Sequence, residues 1–209
     1  MNADLTNYFQ RIHNTLHGWC TESKARVMVD LIIKVRPTVC VEVGVFGGRS
    51  LYPTALALKY NGLGSVVGID PWAVDASIEC MASEAELAWW KAVDHDSIYR
   101  YCQDHILALG ISDYARLLRL RSDQAAGGFP DRSINVLHID GNHSEKTSVE
   151  DVTLWLPKVA KHGFIWFDDI DWASTQPAVK LLESKCDPIE SFETFSLYRL
   201  RDEEIRDNA

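Results

Sequence analysis

The chain has 209 residues, 46% of them hydrophobic and 24% charged. That composition excludes the disordered and fibrous classes and is long enough to build a substantial core without disulfides or structural metals. With 21 basic residues against 30 acidic ones the formal net charge is −9, which repels a phosphate backbone and argues against nucleic acid as a partner.

The opening MNADLTNYFQRIH has neither the basic stretch nor the apolar run of a signal peptide, and no segment is apolar for about 18 residues, so a cytoplasmic protein with no membrane partner is expected. Five cysteines, Cys20, Cys40, Cys80, Cys102 and Cys186, are odd in number and lack C-x-x-C spacing, which reads as reduced thiols rather than a disulfide framework or a zinc site. In chain order, residues 1–36 read as an N-terminal helical region. Thr21 and Ser23 offer N-caps to KARVMVDLIIKV, whose Val27, Leu31, Ile32 and Val35 recur at helical spacing until Pro37 stops them. Thr38 to Val43 is a buried parallel strand by its β-branched, apolar run, and it ends in glycines.

Helices near 50–59, 97–109, 148–159 and 176–183, with a short one near Gln124, then alternate with strands over 65–69, 116–120, 134–139 and 164–167. Alternation of this kind implies parallel βαβ units. The tail SFETFSLYRL follows CDPIE with no helix between and suggests a terminal antiparallel hairpin. The fold expected is α/β: a doubly wound, mostly parallel seven-stranded sheet in a single domain. The stretch 71–94, with Trp72, Trp89, Trp90 and several acids, departs from the alternation and is expected to form a lid or wall.

In VEVGVFGGRS a strand ends at Glu42 and Val43, and Gly44, Gly47 and Gly48 turn the chain into a helix. Glycines let a backbone bend sharply and approach a ligand. The spacing is G-x-x-G-G, not the dinucleotide G-x-G-x-x-G, and Glu42 beside the turn disfavours a pyrophosphate while suiting a cationic ligand such as S-adenosylmethionine. Asp70 of VVGIDPW could accept hydrogen bonds from both hydroxyls of a ribose, a role that NAD would satisfy equally, or it could cap a helix over a glycine turn that is merely tight. At the ends of the fourth and fifth strands stand Asp140 (IDGNH) and Asp168, Asp169 and Asp171 (FDDID). Neighbouring strand ends crowd these carboxylates, and two charges 4 Å apart repel by about 4 kcal/mol at an effective dielectric near 20, a repulsion that Mg²⁺ or a similar ion would relieve. The alternative is that one aspartate caps a helix and another is solvated. His143 can accept a proton near neutral pH, or its ring may simply face solvent; His138, inside a strand, reads as a core histidine.

The segments EVGVFGGRS, GIDPW, LHIDGNHS and WLPKVAKHGFIWFDDIDW together resemble the successive motifs of class I S-adenosylmethionine-dependent methyltransferases of the small bacterial O-methyltransferase kind, over roughly residues 21–200. The layout is similar to the catechol O-methyltransferase and macrocin O-methyltransferase groups. The resemblance implies a Rossmann-like methyltransferase fold in which Glu42, Gly44, Phe46, Gly48 and Ser50 hold the methionine end of the cofactor, Asp70 the ribose and Ser122 the neighbourhood of the adenine. Asp140, Asp168 and Asp169 match that family's metal ligands. The sequence departs from the pattern at the base: Asn142 stands where the macrocin group has aspartate, and His143 where catechol O-methyltransferase has lysine, which makes His143 the candidate catalytic residue. The implied reaction is metal-assisted methylation of a hydroxyl on a small-molecule acceptor. Two rivals share these motifs: a metal-dependent hydroxylase resembling cephalosporin hydroxylase, and a noncatalytic nucleoside-binding module. A homo-oligomer is compatible with the sequence.

Overall fold

The structure is a computed structural model, and it describes residues 3–80 and 83–202. Its elements run α1 (Ala3–Asn7), which continues as a π-turn over Tyr8–Ile12, α2 (Glu22–Val35), β1 (Val39–Val43), α3 (Leu51–Asn61), β2 (Ser65–Ile69), α4 (Val74–Ser77), α5 (Glu84–Ala92), α6 (His95–Ala108) and β3 (Ala115–Leu118). There follow α7 (Ser122–Ala126), β4 (Ile134–Ile139), α8 (Glu145–Trp155), β5 (Val159–Asp168), α9 (Gln176–Lys185), β6 (Cys186–Ser191) and β7 (Phe195–Leu200).

The seven strands form one sheet in the order β3-β2-β1-β4-β5-β7-β6. β1 to β5 are parallel, and β7 runs antiparallel between β5 and β6. This is the doubly wound sheet with a terminal hairpin that the motif order implied. The order reverses at β1/β4, and ligands of such sheets bind outside the carboxyl ends of the strands at that point.

Strand alternation sorts the core into two layers. Val41, Val43, Leu137, Ile139, Ile165 and Phe167 face one layer with Trp155 of α8 and Leu182 of α9. Cys40, Val136 and Trp166 face the other, with Met28 and Ile32 of α2 and Leu51 and Leu58 of α3. Glu42 and His138 sit opposite each other in the β1–β4 register, and Asp168 lies two residues beyond Trp166, so these three polar residues point to the α2 side.

Several boundaries differ from the sequence reading. β3 ends at Leu118, two residues before the expected end, and Leu120 is exposed. β5 starts at Val159, well before Phe164, because a bulged segment with His162 at φ 60° still pairs with β4. The fully buried residues of α2 are Lys24, Ala25, Met28, Val29 and Ile32, and Val27 and Leu31 pack partly buried against the same core. Thr21 caps α2, its side chain accepting from Lys24 N at 3.3 Å. The five cysteines are free, and all but Cys80 are buried. Among the described residues no helix is long and apolar enough to cross a membrane.

Candidate active site

The turn after β1 is the scaffold of the site. Gly44 holds φ 85°, and a Cβ there would lie 1.9 Å from the Asp140 carbonyl oxygen, so only glycine lets the β1 turn close against the end of β4. Gly48, at φ 80°, packs on the Tyr52 ring in the same way. Asp70 clamps the turn. One carboxylate oxygen accepts from Val45 N at 3.0 Å and Phe46 N at 2.9 Å, and the other accepts from Trp72 N at 2.7 Å. Burial pushes the Asp70 carboxyl above its usual range, with these three N–H donors opposing the shift. Trp72 closes the loop by donating Nε1–H to the Phe46 carbonyl at 2.9 Å, and both residues sit in the left-handed region, Phe46 at φ 46° and Trp72 at φ 41°.

The turn opens on a cavity of about 750 Å³ lined by Gly44, Phe46, Ser50, Asp70, Ser122, Asp140 and His143 among others. Of the residues expected at the cofactor, Glu42 and Gly48 do not line it. Glu42 lies beneath the turn, 1% exposed, accepting from Ser50 Oγ at 2.7 Å. At the far side Ser122 Oγ donates to Asp151 and accepts from Trp155 Nε1 at 2.7 Å. The stretch 71–94 forms one wall through Trp72, Ala76, Ser77, Glu79 and Trp90, with residues 81–82 outside the described residues. Asn142 anchors that wall: its amide donates to the carbonyls of Ala76 at 3.1 Å and Glu79 at 3.0 Å, while its Oδ1 accepts from Ser144 N. Glu79 adds ion pairs to Arg121 and, at 3.2 Å, to Lys146. At the mouth, Trp19 packs on Phe46 and Trp89 with centroids 5.1 and 5.5 Å apart, and Phe46 meets Trp90 at 5.7 Å.

The carboxylates at the β4 and β5 ends divide into two groups. In the inner one, Asp168 accepts from His138 Nε2 on one oxygen and from the Lys24 ammonium on the other, with Asp140 4.0 Å from the same ammonium. His138 Nδ1 lies 3.3 Å from Glu42, close enough for an ion pair but without the alignment of a hydrogen bond. So His138 is a core residue, as expected, but one set between two carboxylates. In the outer group His143 Nε2 is 2.8 Å from Asp169 and 3.6 Å from Asp140, and its ring leans edge-on against Trp172. Ligand-capable atoms of His138, Asp140 and Asp168 lie within 4.8 Å of one another, as do those of Asp140, His143 and Asp169. Among the described residues Asp140, Asp168 and Asp169 do not form such a group by themselves.

Charge follows from these contacts. Burial disfavours the charged form of His138, but Asp168 and Glu42 outweigh it and raise the ring to about 9. Burial likewise opposes His143, and Asp140 and Asp169 raise it to about 10. Burial and the Asp168 charge push Asp140 up, with Lys24 and His143 opposing. Asp168 is held low by Lys24 and His138 against its own burial, and Lys24 is held high by Asp168 and Asp140 against its own. Lys24 is the residue that sequence reasoning missed. The available signal was a lysine in the first turn of an otherwise apolar helix face, at the i−4 position from Met28.

Comparison with known proteins matches this frame. A 26% identical stretch of 144 residues, 68% of this chain, occurs in an uncharacterised Sinorhizobium fredii protein, y4gI, of whose length it makes up 14%. Among solved structures, the S-adenosylhomocysteine-bound methyltransferase PaMTH1 of Podospora anserina superposes with a TM-score of 0.67 at 10% identity, over 97% of this chain and 89% of that one. The O-methyltransferase TomG of Streptomyces achromogenes, solved with S-adenosylmethionine, superposes at 0.65 with 13% identity, over 97% and 91%. An O-methyltransferase from Bacillus cereus, solved with S-adenosylhomocysteine, gives 0.64 at 13% identity, over 96% and 92%. At these identities the structural likenesses establish a shared fold. Residues 41–170, more than half of the chain and the part that carries the glycine turn, Asp70, Asp140 and Asp168, match the family Methyltransf_24, described as a methyltransferase domain, and the chain belongs to that family.

Proposed function

We propose that the chain is an S-adenosylmethionine-dependent methyltransferase that methylates a hydroxyl of a small-molecule acceptor. The observation that carries this reading is the Gly44 turn, clamped by Asp70 and open to a cavity that joins Ser122 on one side to Asp140 and His143 on the other. The cofactor would lie along the turn. Asp70 spends three of about four lone-pair directions on the backbone, which leaves one for a ribose hydroxyl and makes the residue chiefly the support of the turn. Six carboxylates, Asp70, Glu79, Asp123, Asp140, Glu150 and Asp151, line the cavity against Arg49, Arg121 and Lys146. That balance suits a sulfonium and an ammonium better than a pyrophosphate. The aromatic group at the mouth offers the acceptor an apolar wall.

The metal expected from the sequence would need free oxygens on Asp140, Asp168 and Asp169. Both Asp168 oxygens already face cations of the chain, so this trio does not fit a shared ion. His143 is the proposed proton acceptor. It takes the hydroxyl proton while the acceptor oxygen attacks the sulfonium methyl, the C–S bond breaks, and S-adenosylhomocysteine leaves with the C–S electron pair. Because Asp140 and Asp169 hold the ring protonated up to about pH 10, only its deprotonated fraction can accept, and the rate should rise with pH.

Titration calorimetry with S-adenosylmethionine, S-adenosylhomocysteine and NAD tests the cofactor. The first two should bind and NAD should not, and Asp70→Ala should weaken binding by about 1–3 kcal/mol. NAD binding with no heat from the other two ligands would overturn the reading. In turnover, His143→Gln should lose about a hundredfold to ten-thousandfold and flatten the pH dependence, with cofactor affinity kept; a variant within a few-fold of the parent would remove His143 as the base.

A further inference from the structure

Lys24 is 7% exposed and belongs to the first turn of α2, far in sequence from every motif of the site, yet its ammonium sits directly on Asp168 and 4.0 Å from Asp140. The ammonium also lies over the Phe195 ring, with Nζ 5.6 Å from the centroid. Thr21 caps the helix and fixes that turn, while Ala25, Met28, Val29 and Ile32 on the same face lock its rotation. The position of the ammonium is thus built into the packing of α2 on the sheet. The other groups facing this corner are Glu42 and His138 from the neighbouring strands, with His143 and Asp169 at its outer rim.

We infer that Lys24 is a built-in cation that takes the place of a divalent metal at the carboxylate corner, so that methyl transfer by this chain needs no metal. The inference rests on the methyltransferase reading for its functional half. A carboxylate oxygen pointed at an ammonium is not available to a divalent ion. Seating one between Asp140 and Asp168 would displace Lys24 from its counter-ions while the helix still held it out of water, the arrangement that proteins tolerate least. The charge that a metal would bring is supplied in advance by a side chain that needs no loading. Lys24 is a positioning residue: it fixes Asp168 and Asp140, and Asp140 in turn faces the base His143 at 3.6 Å.

Mn²⁺, a paramagnetic probe that can be counted free or bound by electron paramagnetic resonance, separates the possibilities. The parent chain should leave millimolar Mn²⁺ free, and its melting temperature should not move with the ion. S-adenosylhomocysteine should raise that melting temperature in the same samples, so the cofactor reading succeeds or fails on its own signal. Lys24→Ala should open the corner, bind Mn²⁺ and gain a Mn²⁺-dependent rise in melting temperature; if it does not fold, Lys24→Gln, which keeps most of the stem, takes its place. Mn²⁺ binding by the parent would overturn the inference, whether Asp168→Asn abolishes it or leaves it on the outer group of Asp140, His143 and Asp169. A folded Lys24 variant that still binds no Mn²⁺ would overturn it too, because something other than Lys24 would then exclude the ion.

Discussion

Asp151 shows how this site trades stability for a hydrogen-bonded wall. It lies on α8, 7% exposed, and accepts from Ser122 Oγ at the far side of the cavity. Burial raises its carboxyl to about 6, with the Ser122 hydrogen bond opposing and Glu150 and Asp123 adding to the rise. A folded pKa above the unfolded one means that the native state holds the proton more tightly. The group's contribution is therefore fully present below the unfolded pKa near 4 and is lost as pH climbs through about 6. A shift of this size corresponds to about 3 kcal/mol between pH 4 and 7. Asp151→Asn should remove that part of the slope and leave the variant more stable than the parent at neutral pH, as read by urea unfolding across that range. A slope unchanged by the substitution would mean that the ionised carboxylate is already well solvated. Asp70 and Asp140 were legible because strand ends place them by topology, His143 as the titratable side chain that follows Asp140, and Ser122 only through the family resemblance. Lys24 and Asp151 were not, because a charged residue on a helix is assigned to solvent unless its counter-ion or donor is known, and those partners come from β5 and α7.

At the level of elements, sequence and structure agree where hydrophobic pattern and topology point the same way and differ where tertiary contacts decide. The strand Val39–Val43, the β2 turn and the β6–β7 hairpin follow from β-branched runs and the absence of an intervening helix. In α2 the helical spacing of Val27, Leu31, Ile32 and Val35 gave the helix, with Ile32 fully buried and Val27 and Leu31 partly so. It did not show that Lys24 is buried with them, because its ammonium meets Asp168 and Asp140, an attraction no periodicity shows. The stretch 71–94 was expected to depart from the strand–helix alternation and form a lid or wall. It holds α4 and α5, and it is fixed to the β4 end by Asn142 and to α7 and α8 by Glu79. Those anchors are single side chains contacting backbone or remote charges, and they leave no repeating trace in sequence.

For the whole molecule, the strand order of the parallel sheet reverses at β1/β4 and brings the glycine turn, Asp70 and the β4 end to one edge, while the acidic lining extends the sign of the −9 net charge into the cavity. Under the proposed function an S-adenosyl cofactor binds at this edge. Amide hydrogen exchange with and without S-adenosylhomocysteine tests it most directly, because it reports both binding and place. Slowed exchange is predicted at residues 44–50, 70–72 and 121–123, with the β6–β7 hairpin unchanged. Binding with protection confined to other parts of the chain, or saturating ligand with no protection anywhere, would contradict the account.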